Sequence, residues 1–254
     1  MERHEALEAV QEHPGWYHTI ELAPGVTTPG FVDLRPFLRR SLPRSLKGRR
    51  CLDVGTFDGF WAFAMEDRGA ASVVGIDVDD TAQLEHPPLR REANIAAARA
   101  SGVVPGVGFQ LAAAARNSAA RRVSCNVYDL DVDAIGGPVD FVLVGTILQH
   151  LRDPVRALER VRSVLAPGGA AVLVETISTR LTLQHPRSPV GEFRAAKPDN
   201  SFSWWVPNLS MLRAWPTSAG MPPTSRLPVL HRPVLGAGRG DWLAAVAVAP
   251  QQQQ

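Results

Sequence analysis

The amino-acid sequence predicts an α/β domain in which helices cover both faces of a mostly parallel sheet. A strand-like run at 49–54 leads into a glycine-containing loop, a helix that begins at Phe60, and a second strand at 72–77 that ends in an acid. This order of strand, loop, helix and strand is the opening unit of a doubly wound nucleotide-binding sheet. Further strand-like runs follow at 122–129, 139–145, 170–175 and 242–248.

The segments between these strands contain helix signals. Asp153 is predicted to be an N-cap and Pro154 the first helical residue, and apolar residues recur on one face of the turns that follow. The run 166–169, Ala-Pro-Gly-Gly, ends that helix. The stretch 80–122 is longer than one crossover helix needs and contains proline and glycine breaks, so it is interpreted as an insertion or an elongated crossover, with an alanine-rich helix that runs to about residue 115.

The 254 residues are enough for one substantial hydrophobic core. Residues 1–40 concentrate turn formers and aromatic residues and are predicted to be an N-terminal extension or lid. Residues 41–250 are predicted to form the main domain, with an insertion at about 176–208. Residues 251–254, all glutamine, are predicted to be a disordered tail.

The composition is that of a soluble globular protein, with 45% hydrophobic and 20% charged residues and a net charge of +2. The arginines are scattered apart from a few pairs, which argues against nucleic acid as a partner. Because the sequence contains neither a bilayer-spanning run nor a signal peptide, we expect a cytoplasmic protein without a membrane partner. Cys51 and Cys125 are predicted to be buried core thiols, and the spacing of histidines and acids predicts no metal site.

The glycine loop distinguishes sites that bind a dinucleotide from sites that bind an adenosine-containing cofactor without a pyrophosphate. Both classes place a carboxylate such as Asp77 at the end of the second strand, where it binds ribose hydroxyls. A dinucleotide site needs glycine at the middle position of the loop so that the backbone can approach the pyrophosphate. Phe57 occupies that position here. The loop therefore favours a cofactor without a pyrophosphate.

The segment 53–59, Asp-Val-Gly-Thr-Phe-Asp-Gly, resembles the first motif of class I S-adenosylmethionine-dependent methyltransferases, with Phe57 in place of the usual middle glycine. The family's later motifs have counterparts, in order, at Asp77, Asp129, 140–145 and 165–169. The resemblance implies a Rossmann-like class I methyltransferase fold with a mostly parallel seven-stranded sheet. It also implies S-adenosylmethionine as the cofactor.

The same resemblance assigns roles to individual residues. Asp77 would bind the ribose, Val78 would pack beside the adenine, and Asp129 would lie near the adenine amino group, with a solvated surface position as the alternative for Asp129. The loop backbone and Gly145 would contact the methionine half. The cofactor-binding residues implied are Asp53, Gly55, Thr56, Phe57, Asp58, Gly59, Asp77, Val78, Asp129 and Gly145.

Within this class, the segments 145–154, 175–176 and 204–208 are similar to the subfamily of tRNA wobble-uridine carboxymethyltransferases. That subfamily has a tyrosine where Gln149 stands, and the tyrosine helps to hold a carboxylated cofactor. The departure at Gln149 favours ordinary S-adenosylmethionine and argues against a tRNA substrate.

Methyl transfer is an in-line displacement that needs orientation, exclusion of water and, for some acceptors, a general base. His150, just beyond the fourth strand, is the first candidate base, and Glu175 at the end of the fifth strand is the second. Each residue has an alternative, structural role: His150 could only line the cofactor pocket, and Glu175 could cap a helix or loop. The candidate substrate-binding residues are Trp16, His18, Trp204, Trp205 and Asn208, and core packing is the alternative for the tryptophans.

Together these observations predict an O- or N-methyltransferase that acts on a small molecule, in bacterial specialised metabolism. A tRNA-modifying methyltransferase is one alternative. The others are an enzyme that cyclises or transfers another part of S-adenosylmethionine, and a non-enzymatic binding module.

Overall fold

The computed structural model describes residues 3–197, 202–235 and 238–251. The chain begins with short elements that precede the main sheet: α1 (Arg3–Glu12), β1 (Glu21–Ala23), β2 (Val26–Thr27), β3 (Val32–Asp33) and α2 (Arg35–Ser41). The first half of the main sheet and its crossovers follow: β4 (Arg50–Val54), α3 (Phe60–Glu66), β5 (Ser72–Asp77), α4 (Arg91–Ala100), α5 (Val107–Arg116), β6 (Arg121–Ser124), α6 (Val132–Ile135) and β7 (Val139–Gly145).

The second half of the chain completes the sheet and adds short peripheral strands. Its elements are α7 (Pro154–Ser163), β8 (Leu165–Ile177), α8 (Thr179–Gln184), β9 (Gly191–Phe193), β10 (Trp205–Pro207), α9 (Leu209–Ser218), β11 (Val229–His231), β12 (Val234–Leu235), β13 (Gly238–Arg239) and β14 (Trp242–Val248).

The main sheet has seven strands in the order β11-β14-β8-β7-β4-β5-β6. The five strands from β8 to β6 are parallel, whereas β14 is antiparallel to both of its neighbours. The predicted mostly parallel seven-stranded sheet is therefore confirmed. The strand order reverses beside β4, because β4 pairs with β5 on one side and β7 on the other. Ligands of open α/β sheets bind at such a switch point, outside the carboxyl ends of the strands.

Helices cover both faces of this sheet, which explains why its inner strands are almost continuously apolar. One face packs against α3, α5 and the N-terminal segment, through side chains such as Phe63, Phe109 and Trp16. The other face packs against α7 and α9, through Leu158 and Trp215. The amphipathic pattern of α7 and its Asp153 cap, which accepts from Arg156 N, are as predicted.

Two strand boundaries differ from the sequence prediction. The third parallel strand, β6, ends at Ser124, and residues 127–129 form a short 3₁₀ turn because the Asn126 side chain accepts from Tyr128 N. The fifth, β8, begins at Leu165 and includes the predicted helix stop, with Gly168 at φ 77°.

The predicted extension 1–40 and insertion 176–208 both contain ordered elements that pack on the main domain, and their separate status stays a prediction. Of the predicted tail, residues 252–254 lie outside the described residues. Within the described ranges, every helix is too short or too polar to cross a membrane.

Candidate cofactor and acceptor site

A cavity of about 380 Å³ opens at the carboxyl ends of β4, β5 and β7. Its volume falls within the range of about 300–1,000 Å³ that is usual for small-molecule sites. The lining residues come from the N-terminal segment, the ends of those strands and the loops after them, the start of α3, the loop before α5, strand β6 and the turn after it, and the segment that precedes β10. They are Tyr17, His18, Val54, Gly55, Phe57, Trp61, Ile76, Asp77, Val78, Thr81, Gln83, Leu84, Glu85, Pro105, Gly106, Arg122, Cys125, Asn126, Val127, Gly145, Thr146, Ile147, His150, Leu151 and Phe202.

The glycine loop forms the floor of this cavity. Gly55 has φ +76°, and a Cβ atom at this position would stand 2.2 Å from Cγ2 of Ile147. Only glycine adopts this positive φ without strain and leaves the Ile147 side chain in place. At Gly145, an added Cβ would lie 2.8 Å from Nε1 of Trp61. The two glycines keep the carboxyl ends of β4 and β7 open to a ligand.

Asp77 lies at the carboxyl end of β5 and lines the cavity. Its Oδ2 accepts from Phe57 N at 2.9 Å, and its Oδ1 accepts from Val78 N at 2.8 Å. Burial raises the pKa of Asp77, while these two backbone N–H groups act in the opposite direction. The carboxylate therefore holds the glycine loop and retains lone pairs that can accept hydrogen bonds from a ligand.

Four other predicted loop residues support the cavity from behind. Asp53 is fully buried and accepts from Ala62 N at 3.1 Å. Thr56 packs against Gly75, and Gly59 starts α3 with φ +89°, where a Cβ would meet the ring of Phe63 at 2.5 Å. The four residues that lie outside the cavity lining, contrary to the expected direct contact, are Asp53, Thr56, Asp58 and Gly59.

Asp58 turns away from the floor and binds the N-terminal segment. Its Oδ2 accepts from the backbone N–H groups of Tyr17 and His18, at 3.1 and 2.8 Å. Its Oδ1 lies 2.5 Å from Nδ1 of His18. Both side chains are almost completely buried, with 6% and 1% of the histidine and aspartate side chains exposed. The glycine loop thus fixes one histidine at the cavity wall.

His150 also lines the cavity, from a 3₁₀ turn after β7. Its Nδ1 lies 3.2 Å from the carbonyl oxygen of Phe202, and the two rings are 4.5 Å apart. Burial lowers the pKa of His150 to about 4, so the imidazole is neutral at physiological pH. Because a carbonyl only accepts, Nδ1 carries the proton.

Glu175 is fully buried and lies outside the cavity lining. Its carboxylate accepts from Gln149 N at 3.1 Å and from Thr176 N at 2.8 Å. Burial raises the pKa of Glu175 to about 7, while these backbone N–H groups oppose that shift. The side chain holds the turn that carries His150, and its role as a base stays a prediction.

The predicted substrate-binding residues separate into two groups. His18 lines the cavity, whereas Trp16 is buried in the core with its Nε1 donating to Val10 O at 3.3 Å. Trp204 donates to the carbonyl of Glu85 and packs against the Arg152 guanidinium at 4.7 Å. These tryptophans therefore pack behind the residues that line the cavity, which agrees with core packing, the alternative role given above.

Trp205 and Asn208 also lie outside the cavity lining. Trp205 donates to Arg152 O and packs on Phe193. The Asn208 amide is fully buried and saturated, because it donates to His185 O and Ser188 O and accepts from Val190 N and Met211 N. A saturated amide has no group left for a substrate.

Asp129 differs from its expected position. It is exposed and lies outside the cavity lining, and Asn126 lines the cavity in its place. Cys125 is half-buried, where it packs against the core and also lines the cavity, while Cys51 is buried as predicted. Sequence reasoning missed Asn126, and the signal that identifies it is its place directly after the true end of β6.

Tyr17, Glu85 and Phe202 line the cavity without having been predicted. Each lies in a long irregular segment whose position is fixed by tertiary contacts, so no periodic pattern identifies it. Among the described residues, no group of three or more histidine, cysteine, aspartate or glutamate side chains is arranged to hold a metal ion.

The sheet order, the glycine floor and the strand-terminal acid define a class I methyltransferase fold with a nucleotide site at its switch point. The residues present fit S-adenosylmethionine, the cofactor of that class: glycine at 55 and 145 leaves the floor open, and Asp77 offers a carboxylate to a ribose. The chain belongs to the methyltransferase domain family, whose model matches residues 30–220.

Similar sequences are enzymes that modify RNA or protein. A tRNA U34 carboxymethyltransferase of Methylococcus capsulatus is 31% identical over 175 residues, which cover 69% of this chain and 45% of the relative. A ribosomal protein L11 methyltransferase of Deinococcus radiodurans is 29% identical over 138 residues, covering 54% and 42%. The chain thus spans about half the length of the curated relatives it matches.

Solved structures show the same fold at low sequence identity. A Burkholderia thailandensis 1,6-didemethyltoxoflavin-N1-methyltransferase superposes with a TM-score of 0.56 at 16% identity, covering 86% of this chain and 78% of that one. An S-adenosylmethionine-dependent methyltransferase from Mesorhizobium loti superposes with a TM-score of 0.51 at 16% identity, covering 85% and 97%. These likenesses establish the fold and leave the acceptor open.

Proposed function

We propose that this protein transfers a methyl group from S-adenosylmethionine to an oxygen or nitrogen atom of a small molecule. The charge of the cavity carries the proposal. Its lining includes the carboxylates of Asp77 and Glu85, and the one arginine among the described lining residues, Arg122, is already paired with the carboxylate of Asp79. A polyanion such as tRNA needs cationic side chains along its path, so this lining suits a small uncharged or cationic acceptor.

The floor of the cavity would hold the cofactor. Gly55 and Gly145 leave room for its methionine half, Asp77 accepts from its ribose hydroxyls, and Val78 packs beside its adenine. Asn126 is placed to contact the adenine edge, since its Oδ1 already accepts from Tyr128 N and its amide N–H groups can donate. Bound S-adenosylmethionine supplies an electrophilic methyl group on a sulfonium.

The remaining lining would hold the acceptor. Tyr17, His18, His150 and Phe202 contribute rings from both sides of the cavity. Apolar and aromatic walls exclude water and orient a flat molecule, which are the main contributions that a protein makes to methyl transfer. Glu175 acts as a positioning residue, because it fixes the turn that presents His150.

Cofactor binding is tested by isothermal titration with S-adenosylhomocysteine. Asp77→Asn removes the charge that accepts from the ribose, and we expect affinity to fall by about 10- to 100-fold, as for loss of a hydrogen bond to a charged group. Asp129→Asn is the matched control, because Asp129 is exposed and outside the cavity. Unchanged affinity in Asp77→Asn, or equal losses in both variants, would reject the assignment.

The similarity to tRNA U34 carboxymethyltransferases favours tRNA as the second candidate acceptor. The two candidates are separated by incubating the protein with methyl-labelled S-adenosylmethionine and either bulk tRNA or a panel of aromatic alcohols and amines. Label in the small molecules, with release of S-adenosylhomocysteine, supports the proposal. Label in tRNA alone contradicts the small-molecule acceptor, and release of methylthioadenosine contradicts methyl transfer.

A further inference from the structure

Two histidines line the cavity, and their surroundings differ in one respect that matters for proton transfer. The ring of His18 is hydrogen-bonded to a buried carboxylate, whereas the ring of His150 is hydrogen-bonded to a backbone carbonyl. A carboxylate stabilises the imidazolium that forms when a histidine accepts a proton, and a carbonyl dipole does so much less. The two histidines are therefore not equivalent as bases.

The contacts of Asp58 define the tautomer of His18. The carboxylate accepts from two backbone N–H groups and lies 2.5 Å from Nδ1, so Nδ1 carries the hydrogen and Nε2 carries the lone pair. Within the described part of the chain, the His18 ring makes its hydrogen bond through Nδ1 alone, and the residue lines the cavity. The lone pair of Nε2 can therefore accept a proton from a substrate.

Neighbouring rings hold the His18 imidazole in one orientation. Phe60 stacks on it, with ring centroids 5.0 Å apart and planes inclined by 15°, and Tyr17 contacts it edge-on at 4.7 Å. Besides Asp58, the titratable groups that face His18 are Asp53 from β4 and Tyr17 from its own segment. A ring fixed by a carboxylate and two aromatic neighbours is preorganised for catalysis.

His150 has a weaker claim to the same role. Its surroundings lower its pKa to about 4 through burial, and the Phe202 carbonyl is its one hydrogen-bond partner among the described residues. A base performs best when its pKa lies near the working pH. His150 is better suited to accept a hydrogen bond while it remains neutral.

We propose that His18, oriented by Asp58, is the general base of this enzyme and that the acceptor is an aromatic hydroxyl compound. This inference rests on the proposed function and narrows its acceptor class. A neutral amine attacks through its lone pair and releases its proton afterwards, whereas a neutral hydroxyl becomes a good nucleophile as its proton leaves. A built base at the cavity wall therefore favours an oxygen acceptor, and the surrounding rings favour an aromatic one.

The transfer balances without another reactant. The hydroxyl proton passes to Nε2 of His18 while the hydroxyl oxygen forms a bond to the methyl carbon. The carbon–sulfur bond breaks, and its electron pair returns to sulfur, which gives a neutral thioether. The positive charge moves from the sulfonium to the imidazolium of His18, where the Asp58 carboxylate stabilises it.

The test compares two kinds of phenol that differ in whether they need a base. 1-Naphthol and 2-naphthol are largely protonated at neutral pH, whereas 4-nitrophenol is substantially ionised at pH 8. The measured quantity is kcat/KM for release of S-adenosylhomocysteine by wild type, His18→Gln and Asp58→Asn. His185→Gln is the matched control, because the His185 side chain is exposed and remote from the cavity lining.

We expect wild type and His185→Gln to methylate at least one naphthol. His18→Gln should lose about 10²- to 10⁴-fold with that naphthol, the usual contribution of a general base. Its loss with 4-nitrophenol should be at most a few-fold, and its affinity for S-adenosylhomocysteine should equal that of wild type. Asp58→Asn should show the same selective loss, since the amide stabilises an imidazolium poorly.

Other outcomes separate the hypotheses. Equal losses with naphthol and 4-nitrophenol would show that His18 only shapes the cavity and would overturn its role as a base. A wild-type protein that binds S-adenosylhomocysteine but methylates none of the phenols would overturn the acceptor class. A protein that binds no S-adenosylhomocysteine would instead reject the proposed function. If Asp58→Asn unfolds, His18→Gln alone decides the role of the base.

Discussion

Asp53 tests how the glycine loop is built, because ionisation of its buried carboxyl group is unfavourable. The carboxyl is fully buried under the loop, where it accepts from Ala62 N and faces the Thr56 hydroxyl. Burial raises the pKa of Asp53 from 3.8 to about 7, against the opposing effect of Thr56. The difference corresponds to about 4 kcal/mol between the two protonation states.

The sign of the pH effect follows from the raised pKa. In the unfolded chain the carboxyl ionises near pH 3.8, whereas in the folded protein it stays protonated up to about pH 7. The contribution of Asp53 to stability is therefore fully present below the first value and is lost as the pH rises through the second. Between pH 5 and pH 8 the loss from this group is about 2–3 kcal/mol.

Asp53→Asn removes this dependence while it conserves shape, since the amide oxygen can accept from Ala62 N and the amide nitrogen can donate to Thr56. Urea unfolding followed by tryptophan fluorescence, in the absence of cofactor, gives the free energy of unfolding at both pH values. The stability of the variant relative to wild type should rise by about 2–3 kcal/mol from pH 5 to pH 8. Asp129→Asn, at an exposed site, should track wild type. An Asp53→Asn variant that also tracks wild type would refute the reasoning.

Three further variants separate stability from cofactor binding. Gly48→Ala should cost about 1–2 kcal/mol, because Gly48 has positive φ and open space for a Cβ. Gly55→Ala should cost more, because it adds a contact with Ile147 to the same backbone strain. Titration with S-adenosylhomocysteine should therefore weaken at least tenfold in Gly55→Ala and stay unchanged in Gly48→Ala. Asn208→Ala should lower the free energy of unfolding by about 2–4 kcal/mol, through a lost helix cap and unpaired buried groups, without changing that affinity.

Two results would contradict these predictions. If Gly48→Ala weakened cofactor binding as much as Gly55→Ala, strain alone rather than contact with the floor would explain the loss. If Asn208→Ala bound S-adenosylhomocysteine much more weakly at equal folded fraction, a direct role of Asn208 at the ligand would replace its structural role.

The parts of the fold that were predicted from sequence are those with local signals. The strands at 72–77 and 139–145 have the predicted bounds, because apolar runs of that length end in turn-forming residues. The third strand is shorter than predicted, since the Asn126 side chain satisfies a backbone N–H group and starts a turn. A single side-chain hydrogen bond of this kind competes with the sheet, and periodicity does not report it.

The candidate site was predicted less completely, for a physical reason. Asp77 and Gly145 were identified because their position follows from where a strand ends. Asp58 and His18 are 40 residues apart and meet through folding of the N-terminal segment onto the loop, so no spacing in the sequence pairs them. Asn208 illustrates the converse: it was predicted to bind substrate, whereas its amide is fully engaged by backbone groups.

The Asp58–His18 contact joins the floor of the cavity to its N-terminal wall. We expect the residues of the wall to vary in sequence independently of those of the floor. The strand ends of β4, β5 and β7 define the floor, where substitutions at Gly55 or Asp77 are constrained by backbone geometry. The walls come from segments outside the main sheet, and surface segments of this kind tolerate sequence exchange better than the strands they connect. Since Asp58 ties the N-terminal wall to the floor through two backbone N–H groups, the wall can change its other side chains without losing its position. Acceptor choice is therefore expected to reside in the segments that carry Tyr17 and Phe202, while the methyl donor is held by the sheet.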